Sequence, residues 1–202
     1  MPKATTTPAE APAPKRRRAD AERSVAAILD AAHEALASDP DSSMSEIARR
    51  AGVVRATVYV HFPTRTDLLD AVMEHAVAQV ADATRRAEPA RGEPAEALQR
   101  VLRATWRELA RFHGLLALNT ARLSPEELHR RHLPVLDQLE PLIRRGQKQG
   151  VFRSDVPIAW HLAVLRALVH TASFESQNGR IPEAQVESVM LSTALAAIAP
   201  TD

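Results

Sequence analysis

The sequence predicts an all-α fold, with a short N-terminal unit of three helices followed by a larger helical region. Three observations carry this. No stretch of the 202 residues sustains the apolar–polar alternation of a half-buried strand, and Val, Ile and aromatic residues never cluster between turn signals. Apolar residues instead recur three and four apart along most of the chain. Proline, glycine and hydroxyl residues fall at the ends of those periodic stretches, where helices start and stop.

Residues 1–14 are rich in Ala, Thr and Pro and lack the apolar centre of a secretory signal, so a disordered leader is expected there. The first helix is expected at residues 20–38, with Val25, Ile28, Leu29, Ala32 and Leu36 on one face and Asp39-Pro40-Asp41 as its stop. Ser43-Met44-Ser45-Glu46 has capping-box spacing at the start of a short second helix that ends at Gly52. A third short helix covers residues 54–60, before Pro63. Thr64-Arg65-Thr66-Asp67 then caps a long fourth helix carrying Leu68, Leu69, Val72, Met73, Ala76, Val77 and Val80. The run Ala87-Glu88-Pro89-Ala90-Arg91-Gly92-Glu93 breaks the pattern. Further helices are expected at 94–112, 114–122, 125–149, 156–176 and 182–199, with Pro125 and Pro182 suited to helix starts. Pro134 and Pro141 predict a kink or break within 125–149.

Composition narrows the function classes. A net charge of +1 gives no overall pull towards polyanions, so any basic surface must come from local distribution. The absence of cysteine excludes disulfides, thiolate zinc sites and cysteine nucleophiles, and fits a reducing compartment. No apolar run approaches the roughly 18–20 residues that span a bilayer, so no membrane partner is expected. There is no Gly-rich phosphate loop, nucleophile elbow or catalytic acid pair, so no catalytic residue is assigned and the chain is not read as an enzyme. His129 and His132 have the spacing of two metal ligands on one helix face, but no carboxylate completes a set and Arg130 and Arg131 repel a cation; no metal or cofactor is expected. His161 and His170, in an apolar helix, read as satisfied interior or interface residues.

Residues 43–69 carry the functional signal. Two short helices joined by a turn containing Gly52 have helix-turn-helix architecture. The second helix fits a major groove about 12 Å wide and presents its first side chains to base edges. Residues 47–66 contain Arg49, Arg50, Arg55 and Arg65 and no acid. Lys15, Arg16, Arg17 and Arg18 form a basic arm, expected to be flexible, just before the first helix. Cations so placed neutralise phosphates and release counterions.

The strings Glu46-Ile47-Ala48-Arg49-Arg50-Ala51-Gly52-Val53 and Thr57-Val58-Tyr59-Val60-His61-Phe62, followed by Arg65 and Leu68-Leu69, resemble the N-terminal domain of tetracycline-repressor-type (TetR) regulators over residues 21–72. The segment from Gly146 to Arg153 resembles one common before that family's last two helices. Two positions depart from the pattern. Val54 replaces the usual Ser or Thr, so the third helix loses a side-chain N-cap worth about 0.5–2 kcal/mol. Arg65 stands where lysine is more common. By matched position, the resemblance implies that Arg55, Ala56 and Thr57 approach bases, with Arg55 reaching guanine and the two methyls reaching thymine. It implies that Ser43, Tyr59, His61 and Arg65 hold phosphates, a packed His61 bonded to backbone being the alternative. Ile47 and Phe62 read as core.

The same resemblance implies a cytoplasmic homodimeric repressor, released from a palindromic double-stranded DNA operator by a small-molecule effector. An effector-independent or architectural DNA-binding protein controlled by a protein partner is the alternative. The division expected is a leader at 1–14, a helix-turn-helix domain at 15–65 and a ligand-binding and dimerisation domain at 66–199. The later helices supply more apolar surface than a DNA reader needs and can enclose a cavity. Trp106, Phe112, His113, Asn119, Arg122, Trp160 and His161 are candidates to line it, each also readable as core filler. The helix at 156–176 is apolar on two sides and the last helix is similarly broad, so both need burial on two sides. Ile158, Leu162, Leu165, Val169, Val186 and Met190 are the expected dimer interface, and a helix wholly inside one protomer's core is the alternative.

Overall fold

A computed structural model describes residues 14–111 and 124–200, which contain eight α-helices and no strand. In chain order these are α1 (Pro14–Ser38), α2 (Met44–Arg50), α3 (Arg55–His61), α4 (Arg65–Arg86), α5 (Pro94–Arg111), α6 (Pro125–Lys148), α7 (Ile158–Gln177) and α8 (Glu183–Ile198). The helix expected at 114–122 and most of the expected leader lie outside the described residues.

Two boundaries differ from expectation. Helix α1 begins at Pro14, so Lys15, Arg16, Arg17 and Arg18 belong to its first turns and do not form a separate flexible arm. Proline suits the first helical position, and the Lys, Arg and Ala that follow are good helix formers. Helix α6 runs unbroken through Pro134 and Pro141. Both prolines are exposed and lie seven residues apart, two turns along one side of the helix. The carbonyls they leave without an amide partner belong to Arg130 and Asp137, exposed residues where water can serve.

The helices enclose two hydrophobic cores. Ile28, Leu36, Ile47, Val58, Leu68 and Val72 centre the first, built from α1 to α4. Leu98, Val101, Leu142, Ile143, Leu165, Val186 and Ile198 centre the second, built from α4 to α8. The handover occurs within α4, where Ala76 packs in the first core and Val80 in the second. At 22 residues and 1.5 Å per residue, α4 spans about 33 Å and is part of both.

The turn after α6 explains the Gly146–Arg153 segment. The Phe152 ring lies so close over Gly146 that a Cβ there would sit 2.0 Å from a ring carbon. Gly150 takes φ +70°, a conformation costly for other residues, to reverse the chain. Gln147 Nε2 then donates to the Arg153 and Val156 carbonyls at 3.0 and 3.1 Å. His161, buried at the start of α7, places Nε2 3.0 Å from the same Arg153 carbonyl, so it fixes this turn as a donor.

The dimer stripe expected on α7 and α8 needs correction. Leu165, Val169, Val186 and Met190 are buried in the protomer's own second core, and Ile158 and Leu162 pack against it. Those four buried side chains have no surface left for a partner, whereas Ile158 and Leu162 keep part of theirs. The large apolar residues left exposed on these helices are Trp160, Phe174 and Val189, at 59%, 51% and 44% exposure. Among the described residues no helix is long and apolar enough to cross a membrane.

Candidate nucleic-acid interface and interior cavity

At the start of α2, Ser43 Oγ accepts from the Glu46 amide at 3.2 Å, as the cap spacing predicts. The reciprocal arm is missing. The Glu46 carboxylate instead accepts from Arg49 Nη2 at 2.6 Å and from Arg50 Nε at 3.0 Å. Those two guanidiniums hold its carboxyl down to about 2. Two of the four arginines in the motif therefore already share an acid just outside the acid-free run. Gly52, at φ +68°, makes the turn.

Helix α3 starts at Val54 without a side-chain cap, as its sequence requires. It is held from beneath by Val58, which is fully buried, and by Phe62, whose amide donates to the Val58 carbonyl at 2.8 Å. With Val58 turned inward, Arg55, Ala56, Tyr59 and Val60 are exposed. Arg55 lies over the Tyr59 ring, its guanidinium carbon 5.2 Å from the centroid, and Nη2 donates to the Tyr59 hydroxyl at 3.1 Å. Stacking and hydrogen bonding together reduce the freedom of a long cationic side chain before it meets any ligand. Thr57 and His61 are half-buried, and the His61 ring lies tilted against Phe62 with centroids 6.3 Å apart. Val54 and Val60 are 70% and 76% exposed; the sequence marks Val54 only as a missing cap and gives Val60 no role. Exposed valines on the outer side of a recognition helix are the signal that could have found them.

Helix α4 begins with a complete capping box. Asp67 N donates to Thr64 Oγ1 at 3.1 Å, and Thr64 N donates to Asp67 Oδ2 at 2.9 Å. Arg65, expected on a phosphate, donates instead to the Ser42 carbonyl and, at 2.6 Å, to the Pro40 carbonyl. It is a tie between α4 and the α1–α2 loop.

The second core contains a cavity of about 50 Å³ between α4, α5, α6 and α7. Its walls include Val80, Leu102, Leu136 and Leu165, with Thr105, His132, Arg166 and His170 as the polar groups. His132 Nδ1 lies 2.7 Å from the Leu128 carbonyl, so that nitrogen carries the hydrogen. A neutral His132 then has a bare Nε2, which accepts from His170 Nε2 at 3.1 Å. Burial, then the charge of Arg166 and His129, pushes His132 below the ordinary imidazole range despite its backbone bond. Burial, His132 and Arg166 push His170 down to about 4.

The residues expected to line a cavity do not meet at this one. Trp106 is buried in the core without lining it, Trp160 faces outward and His161 serves the α6–α7 turn. Phe112, His113, Asn119 and Arg122 lie outside the described residues. His132, Arg166 and His170 were missed as a group because their proximity is tertiary. A lone arginine in an otherwise apolar helix was the available signal.

A glycine-turned helix pair with one exposed basic face, carried on a second helical core that contains a cavity, defines a helix-turn-helix DNA-binding regulator. The family model described as bacterial regulatory proteins, tetR family, matches residues 28–72. The chain is 30% identical to the HTH-type transcriptional repressor LfrR of Mycolicibacterium smegmatis over 172 residues, 85% of this chain and 88% of the relative. The crystal structure of the TetR-like regulator LfrR from Mycobacterium smegmatis in complex with proflavine superposes with TM-score 0.67 at 26% identity, covering 89% of this chain and 99% of that one. A TetR transcription regulatory protein from Mycobacterium vanbaalenii gives TM-score 0.61 at 33% identity, covering 88% and 98%. The chain belongs to the TetR family, and it is a helix-turn-helix transcriptional regulator. Regulators of this family act by binding DNA operators and small molecules, typically as dimers, and are in general not enzymes.

Proposed function

We propose that the protein is a cytoplasmic homodimeric repressor that holds a palindromic operator and lets go when a small molecule enters the interior cavity. The observation that carries this reading is α4, a single rigid helix that is part of both cores. Near its DNA-side end, Asp70 accepts from Arg131 Nη2 of α6 at 3.1 Å. Further along, the Ala81 carbonyl accepts from Gln138 of α6 at 3.1 Å. Helix α6 also supplies His132 and Leu136 to the cavity, so a ligand that displaces α6 pulls on α4 at both points. Arg65 couples the start of α4 to the loop between α1 and α2 through the Ser42 and Pro40 carbonyls. The effector acts only through its different affinity for the DNA-binding and released states.

In this reading Arg55, Ala56 and Thr57 meet bases, with Val54 and Val60 able to touch thymine methyls. Ser43, Tyr59, His61 and the cations at the start of α1 meet phosphates. The DNA-binding domain covers residues 15–65, and residues 66–199 bind effector and pair the protomers. Trp160, Phe174 and Val189 support pairing through the outer side of α7 and α8, because exposed apolar groups of that size are commonly covered by a partner. A two-fold dimer would set its recognition helices about 34–36 Å apart, one turn of DNA. No catalytic, metal or membrane role is assigned. The LfrR structure holding proflavine is consistent with a cavity that answers to a small molecule.

The test is binding of the purified full-length protein to its own upstream intergenic DNA and to random DNA at two salt concentrations. Specific binding that persists at the higher salt, and is relieved by members of a small-molecule panel, is the expected result. Equal, salt-sensitive binding to both fragments would favour an architectural role, and specific binding that no small molecule relieves would favour control by a protein partner.

A further inference from the structure

We infer that the interior cavity is selective for a small apolar acid, whose carboxylate is received by Arg166 and the His132–His170 pair; this rests on the reading of the cavity as the effector site. Among the described residues that line it there are three basic side chains and no carboxylate. Arg166 Nη1 is buried there without a hydrogen-bond partner. A guanidinium left in that condition is costly, and interior cations are ordinarily paired. What sets Arg166 apart is the lack of an acid: Arg103 reaches Glu187 at 2.7 Å, and Arg131, whose Nη1 is likewise buried without a partner, reaches Asp70 through Nη2 at 3.1 Å.

The groups facing the cavity narrow what can satisfy Arg166. A cationic ligand would meet its charge directly. A neutral ligand could accept one hydrogen bond but would leave the charge uncompensated. A divalent metal has only two imidazoles facing each other across 3.1 Å, with a guanidinium beside them, and no set of three metal-ligating side chains exists among the described residues. An anion supplies both an acceptor and a charge. Apart from Thr105 the remaining lining is apolar, including Leu102 and Leu136, which suits a hydrocarbon body better than a phosphate or a sugar acid. A volume of about 50 Å³ admits a small molecule, since a single water needs about 10–15 Å³ on this kind of measure. The histidine pair adds adjustability. His170 has Nε2 committed to His132, and an anion nearby would favour its protonated form by opposing the charge of Arg166 and the effect of burial.

The experiment is calorimetric titration of the full-length protein with benzoate and hexanoate, and with the uncharged benzamide and cationic benzylammonium as matched probes. It is repeated on Arg166→Gln, Arg166→Lys and His170→Gln. At least one acid should bind wild type about tenfold or more tightly than benzamide, with benzylammonium weakest. Arg166→Gln should remove that preference while leaving benzamide binding within about threefold, and Arg166→Lys should restore part of it. If Arg166→Gln does not fold, a loss of acid preference in His170→Gln serves as the same readout. No binding by any probe, equal binding of amide and acid, or an acid preference that survives in both glutamine variants would overturn the proposal. Release of operator DNA by a cation, with no Arg166-dependent acid binding, would remove the acid class and leave the effector reading standing. Arg166-dependent acid binding that leaves operator affinity unchanged would keep the acid site and remove its role in regulation.

Discussion

The two ends of α4 handle positive charge in different ways. At its start, the cations of the helix-turn-helix unit are at the surface and each has a neighbour: Arg49 and Arg50 share Glu46, Arg55 lies on Tyr59, and Arg65 holds two carbonyls. Around Val80, at the other end, Arg166 is half-buried with Nη1 enclosed and unpartnered, beside His132 and His170 in a cavity whose described lining holds no acid. Water makes the surface pairings weak and exchangeable, so Arg55 can leave Tyr59 for a base or a phosphate at little cost. The interior offers no such exchange. A surface arginine with a partner therefore remains available for function, whereas an interior arginine without one is itself the indication of a ligand.

The strongest way to break this comparison is to place a charge where the second core has no room for one. Leu165→Asp should destabilise the protein by at least about 3 kcal/mol, seen as a large loss of thermal stability. Phe174→Asp, a similar change on the exposed side of the same helix, should leave folding nearly intact and lower the dimer fraction in light scattering. If Leu165→Asp yields a stable folded monomer, the assignment of inner and outer faces of α7 is wrong.

Next in size, Arg55→Ala should cost about 1–3 kcal/mol of operator affinity and much less on random DNA. Equal losses on both would reduce Arg55 to a phosphate contact. A chemical denaturation series between pH 7 and pH 5 addresses the interior end. His170 is held near 4 in the folded protein against an ordinary value of 6.5, and His132 is shifted the same way. Below about pH 6.5 the unfolded chain takes up protons that the folded one refuses, so stability is complete above that pH and falls as pH drops towards 4. The slope should be at most about 1.4 kcal/mol per pH unit for each histidine. His170→Gln should flatten it, and an identical slope in that variant would show that other groups set the acid limit. The smallest effect expected is that of Asp70→Asn. Its pair with Arg131 is partly solvent-exposed, so stability should change by less than about 1 kcal/mol. Its effect on effector-induced release should exceed its effect on operator affinity, and the reverse order would remove the pair from the coupling route.

Much of the DNA-side region was legible because its determinants are local. Ser43, Gly52 and Thr64-Arg65-Thr66-Asp67 act over a few residues, through caps and a left-handed turn, and the structure places them at the expected element ends. Even there, spacing failed where two local partners compete. Glu46 has the position for a capping box but bonds to Arg49 and Arg50, because a charge-assisted pair is stronger than a bond to one amide. Proline spacing also misled: Pro134 and Pro141 break a helix only when the carbonyls they orphan are denied water, and exposure depends on what α6 packs against.

The sequence by itself determined the helical class, the helix-turn-helix and the burial of Ile47 and Phe62 within that unit, since periodicity and capping act within one element. It could not choose between the two apolar stripes of α7, because Leu165 and Val169 on one and Trp160 on the other have the same affinity for any interior. Nor could it bring His132 next to His170, 38 residues later, with Arg166 one turn before it. Those outcomes were decided by tertiary packing. Which face is inside, and which charge is left there without a partner, depends on the neighbour that covers it, and that neighbour comes from elsewhere in the chain.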